Sequence, residues 1–270
     1  MRSNKRAMLI AAALLAALLI AALGYSAWKS REMERFLAEY LPSTRPGGAG
    51  DAVLGATGVK RYGESTWFER TQAPRWSEIG VHQAAVLSLD NKLSAKLKEL
   101  GVGAQSLGQA RVSAGIDAAE EAKLALLQVA DPSALAREIQ ALASADPAFV
   151  SLVAGRDSRV ITAVGVVVSH KAAQTLSLDL SAATRTGRSA SAASAPGAAS
   201  ASLQAGALLS STFAVSPGSV LLYRMSRLCW DKNQALVLLR VDAKGGDDCP
   251  AGLSSARPIK PGDPGTQLSR

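Results

Sequence analysis

Residues 160–169 read VITAVGVVVS. The run is uncharged and rich in β-branched side chains, which pack well on a pleated surface. It predicts a strand, and from here onward the chain reads as strands. Residues 175–180, TLSLDL, alternate cleanly, with Leu176, Leu178 and Leu180 on one side and Ser177 and Asp179 on the other. Residues 203–215, 219–230 and 234–242 are further extended runs. Pro217-Gly218 marks one turn and Asp231-Lys232-Asn233 another. Together they predict an antiparallel meander. The Ser/Ala/Gly tract at 184–201 buries little apolar area and is expected to be a mobile loop.

Upstream, helical spacing takes over. Leu89, Leu93, Leu97 and Leu100 share one face of a helix expected at 86–100, and Gly101 ends it. Residues 101–108, GVGAQSLG, lack the lysine of a phosphate-binding loop and read as a turn entering a strand at 109–113. A second helix is expected at 117–129, with Glu120 and Glu121 in its first turn. Asp131-Pro132 and Asp146-Pro147 each place a capping side chain before a first-turn proline, so each starts a helix. The expected fold class is therefore α+β, with helices in the first half of one domain and the meander in its second.

The N-terminus carries a separate signal. Arg2, Lys5 and Arg6 precede residues 7–28, which hold no charge. A helix of that length matches a hydrocarbon core of about 30 Å. It reads as a transmembrane signal anchor, and Ala22-Leu23-Gly24 also offers a cleavage pattern for a signal peptide. Basic residues flank the run on both sides, so orientation rests on the short leader. That places the remainder outside the cytoplasm, in a periplasmic or equivalent space. The resulting division is 1–28 anchor, 29–50 charged helix and Pro/Gly linker, 51–243 a single α+β domain, and 244–270 a disordered tail.

The formal net charge is +8, of which Arg2, Lys5 and Arg6 supply three. The rest is too mild and scattered for a nucleic-acid face, so no nucleic acid is expected. The expected partners are a membrane, through residues 7–28, and a protein. Two cysteines, Cys229 and Cys249, permit one disulfide in a translocated domain, or two thiols otherwise. Only two histidines occur, His82 and His170, and neither lies in a metal-ligand or hydrolase motif. No catalytic, cofactor-binding or metal-ligating set emerges. Trp67, Phe68, Arg70 and Trp76 form an aromatic–basic knot. It reads either as the packed edge of a small domain or as a contact surface, where rings and arginine favour interface hot spots.

Residues 212–239, TFAVSPGSVLLYRMSRLCWDKNQALVLL, resemble the last strands of gasdermin pore-forming domains. Pro217, Gly218 and Ser219 match the turn, and Tyr223 and Arg224 the aromatic–basic pair at the strand end. With Val160 to Leu178 as the preceding strand, the resemblance covers about a fifth of the chain and implies a membrane-damaging activity. The chain departs from that family in its leading apolar segment and in lacking a basic lipid-binding first helix. Three functions follow: a membrane-anchored envelope protein with a non-enzymatic binding or assembly domain, a pore-forming protein, or a hydrolase with an unrecognised site.

Overall fold

Apolar residues at nearly every position of 160–168 leave that segment no polar face, so it can be a strand only where both faces are covered. The computed structural model describes residues 34, 36–40, 43–46, 54–62, 67–72, 81–117, 119–174, 202–204, 207–209, 219–242 and 249–258. The chain divides into two units, Met1–Pro42 and Ser43–Arg270. In the first, Phe36–Tyr40 form a π-helical turn whose two end rings stack with centroids 6.3 Å apart.

In the second unit the elements run β1 (Thr44–Pro46), β2 (Thr57–Arg61), β3 (Trp67–Gln72), β4 (Val81–Ser88), α1 (Asn91–Glu99), α2 (Ala104–Ser113), β5 (Ala122–Val129), α3 (Pro132–Ala145), α4 (Pro147–Val153), β6 (Ser158–Ser169), β7 (Ser202–Gln204), β8 (Ala207–Leu209), β9 (Val220–Trp230) and β10 (Leu236–Val241). Strands β7 and β8 form a separate two-stranded ladder. The other eight strands form one antiparallel sheet.

That sheet is built around β6 and β9. One edge of β6 is shared: its start pairs with β2 through Gly58↔Arg159, and its end pairs with β5 through Leu124↔Val167. The other edge pairs with β9. The outer edge of β9 is shared in turn, by β1 at Thr44↔Arg224 and by β10 at Arg240↔Arg227.

Every residue from Ser158 to Val168 is buried. Val164, Val166 and Val168 join Ala125, Leu127 and Val129 of β5 and Leu135, Ile139, Phe149 and Val153 of α3 and α4 in one apolar cluster. Alternation turns Leu124, Gly165 and Leu222 to the opposite face. A Cβ on Gly165 would lie 3.2 Å from Leu222 and 3.4 Å from Leu124, so this position holds no larger side chain without movement. Helix α2 lies against β6 and β9, and Leu93, Leu97 and Ala110 are buried outside the first cluster. At Gly58 an added Cβ would collide with the Glu69 carbonyl and the Phe68 ring, which rests over the glycine.

Local signals explain the helix starts. The Asp90 carboxylate accepts from the Leu93 N–H at 2.9 Å, Asp131 from Ser133 and Ala134, and Asp146 from Ala148 and Phe149. Each satisfies amides that a first turn leaves without partners.

The helices-first architecture is corrected. Strands β1 to β4 precede every helix of the second unit, and β5 lies among the helices. Residues 81–88 are strand and only 91–99 are helix, so Leu93 and Leu97 face inward while Leu89 precedes the helix. Residues 122–129, AKLALLQV, are a strand, where a helix was expected. Alanine and leucine favour helix intrinsically, but burial on both faces overrides that preference. Residues 104–113 are helix, not turn and strand, and bury only Ala110, so no apolar period marked them.

The membrane reading is corrected too. Residues 7–28 lie outside the described residues, and among the described residues no helix is long and apolar enough to cross a membrane. The single-pass, signal-anchored, periplasmic assignment is withdrawn on that finding. Part of the expected linker, Thr44–Pro46, is a strand on β9, and part of the expected tail, 249–258, is fastened to the same strand. The tract 184–201 and the leucines at 176, 178 and 180 lie outside the described residues.

Candidate functional site

The β9–β10 hairpin begins with a polar turn. The Asp231 carboxylate accepts from the Asn233 and Ala235 N–H groups, both at 2.8 Å. Gln234 takes φ 73°, a left-handed conformation unusual for a side chain of its size. Its amide group compensates by donating to the Pro258 carbonyl at 2.7 Å and accepting from Arg257 at 3.3 Å. The Leu236 N–H then donates to Gln140 of α3 at 2.7 Å. The start of β10 is thus fixed to a turn, a helix and the C-terminal segment.

Its other end is fixed by charge. Asp242, immediately after β10, donates its N–H to Met225 and turns its carboxylate into the interior. There it lies 3.0 Å from Lys60 Nζ and 3.4 Å from Arg159 Nε. Arg227 stands opposite Arg159 on the neighbouring strand. All four side chains are buried, with Arg159 fully enclosed. Arg159 Nη1 donates to the Arg156 and Ser158 carbonyls, while Nη2 makes no hydrogen bond. Burial lowers the proton affinity of Arg159, the adjacent Asp242 raises it, and nearby Arg227 lowers it again. A guanidinium stays protonated regardless, so Arg159 is a buried cation paired with the Asp242 carboxylate, which Lys60 also meets, with Arg227 nearby.

Between these anchors no strand among the described residues pairs with the outer edge of β10, while α3 packs against the strand. Because the Asp242 N–H points inward to β9, alternation turns the N–H groups of Val241 and Leu239 outward. Val237 and Val241 are 50% and 36% exposed, two of the four large apolar side chains that stand out on the described surface. A bulge between Leu236 and Leu238 bends the strand at its start. Arg240 and Lys232 are exposed beside it.

Cys229 and Cys249 are joined by a disulfide across a sequence separation of 20. Closing a loop of that size restricts the unfolded chain by roughly 3 kcal/mol. The linked segment bonds back to β9, with Ser254 and Trp230 exchanging two N–H···O bonds of 2.8 Å.

The chain matches no protein-family model, no curated protein and no solved structure.

Of the expected contact residues Trp67, Phe68, Arg70 and Trp76, only the Phe68 side chain lies among the described residues. Phe68 is buried, its N–H donating to the Tyr223 hydroxyl at 3.1 Å and its ring 6.3 Å from that of Tyr223. Trp67 and Arg70 stand in β3 opposite Arg61 and Gly58, but their side chains lie outside the described residues, as does all of Trp76.

A second polar group gathers at the start of β5. Lys123 Nζ donates to Ser88 Oγ at 2.9 Å and to Glu121, whose other oxygen lies 3.7 Å from His170 Nδ1. Gln174 and His170 are 3.0 Å apart. These residues border an open depression of about 230 Å³ floored by Val86 and Ala173. Among the described residues no three His, Cys, Asp or Glu side chains could hold a metal.

The Lys123 hydrogen bond holds the Glu121 carboxyl below its usual range. A depressed carboxylate stabilises the fold above its unfolded-state pKa, and that contribution is lost as pH falls through the lower folded value. Replacing Lys123 by Met should raise the Glu121 pKa, read by carboxyl-carbon NMR titration. An unchanged titration would show that Lys123 does not set it.

Proposed function

We propose that the folded unit is a non-enzymatic binding or assembly module that docks an extended, acidic segment of a partner protein along β10. The supporting observation is a strand held at both ends whose outer edge pairs with no described strand and whose Val237 and Val241 are exposed. Such an edge is a template for strand addition: backbone bonds give affinity and alternate side chains give selectivity. The acidic character follows from the exposed Arg240 and Lys232 beside the edge and from the net charge of +8. Opposite charge steers such a segment toward the edge and fixes its register.

A probe of alternating Glu and Val separates this reading from simple charge attraction. Fluorescence anisotropy should show the Glu-Val peptide binding and a Lys-Val peptide failing to bind. Val241→Pro removes one outward N–H while leaving the ladder to β9, as edge strands tolerate. It should weaken binding at least tenfold with an unchanged circular dichroism spectrum. Equal binding by the proline variant, or no binding of the acidic peptide, would overturn the proposal.

A further inference from the structure

The segment 249–258 contains no buried residue. Its attachments are few and named. Ser254 exchanges backbone bonds with Trp230, the Arg257 N–H donates to Ala154 at 2.9 Å, and Pro258 accepts from Gln234. The Arg257 guanidinium lies 5.8 Å from the Trp230 ring centroid. It also donates to Gln234 at 3.3 Å, and the one covalent attachment is the disulfide, joining partly exposed Cys249 to fully buried Cys229. A strap that buries no apolar side chain lacks the largest favourable contribution to docking, so the covalent link decides whether it stays. Arg159 pairs with Arg227, and β6 begins at Ser158, so the strap occupies backbone of β9 beyond the start of its neighbour.

We propose that the Cys229–Cys249 disulfide is a redox latch for this strap. Reduction by a dithiol releases 249–258 and uncovers the backbone edge of β9 at Trp230. The partly exposed Cys249 sulfur is the one an incoming thiolate reaches. Attack there forms a mixed disulfide and breaks the Cys229–Cys249 bond, with the Cys229 sulfur leaving and taking up a proton. The second thiol of the reductant then displaces Cys249, which is protonated in turn. The latch gains two electrons and two protons and the dithiol becomes a disulfide. This proposal is independent of the docking assigned to β10.

Hydrogen exchange on the full chain tests it, with dithiothreitol as the reductant and alkylation followed by mass spectrometry to count thiols. On reduction the Trp230 and Ser254 amides should exchange at least a hundredfold faster, while those of Leu124 and Val166 in the central strands keep their protection. Cys249→Ser should give the same pattern without reductant. Reduction that leaves Trp230 and Ser254 protected would overturn the proposal. So would a disulfide reducible only when the central strands exchange with them, because the link would then be a structural staple.

Discussion

Asp242→Asn should lower stability by about 3–5 kcal/mol, a large fraction of what holds an ordinary domain folded. The change keeps the size of the side chain and removes only its charge. Lys60, Arg159 and Arg227 would then be buried together without that carboxylate. An exposed ion pair is worth little, but here the remaining charges cannot return to water without opening the sheet. Lys60→Met in the same background should recover part of the loss by removing one of the cations. Urea denaturation of the wild type and the two variants supplies the comparison. A cost below about 1 kcal/mol for Asp242→Asn would mean that the cations are compensated elsewhere and that Asp242 does not anchor the end of β10.

Trp230→Ala should cost about 3–5 kcal/mol. Trp230 is among the largest fully buried side chains and belongs to the apolar cluster beneath α3 and α4. Its indole N–H makes no hydrogen bond, so the loss comes from packing alone. Trp230→Phe should therefore be much milder, since it keeps an aromatic ring and removes a buried donor that had no acceptor. A shift in urea midpoint as large for Phe as for Ala would show that the N–H, not the volume, matters.

Part of this architecture was legible before the structure. The Asp-Pro pairs at 131–132 and 146–147 start helices because capping chemistry is local. The run at 160–169 is a strand because β-branched side chains without a polar face suit little else. The turn at Asp231 is legible because its carboxylate bonds its own neighbours. Residues 122–129 misled because a strand covered on both faces has no alternation, and leucine and alanine also build helices. Residues 86–88 misled because leucines at helical spacing continued across a strand end into α1. The candidate site was harder still. Lys60, Arg159, Arg227 and Asp242 come from distant segments and read one by one as surface charges. The available hints were Arg159 bordering an uncharged run and Arg227 lying inside an apolar strand. The knot containing Phe68 read either as a packed edge or as a contact surface, because nothing nearby in the chain shows that Gly58 leaves room for its ring.

The sharing of β6 and β9 sets the order in which the protein can form. Strand β5 reaches its place beside β6 through a local connection, so that half of the sheet can assemble as soon as residue 169 has been made. Strand β1, among the first parts of the unit to leave the ribosome, pairs only with β9, among the last. Contacts of such high sequence separation slow folding, because loop closure must precede any gain. Until β9 arrives, the nascent chain carries an apolar β6 with one edge bare, an invitation to aggregation during synthesis.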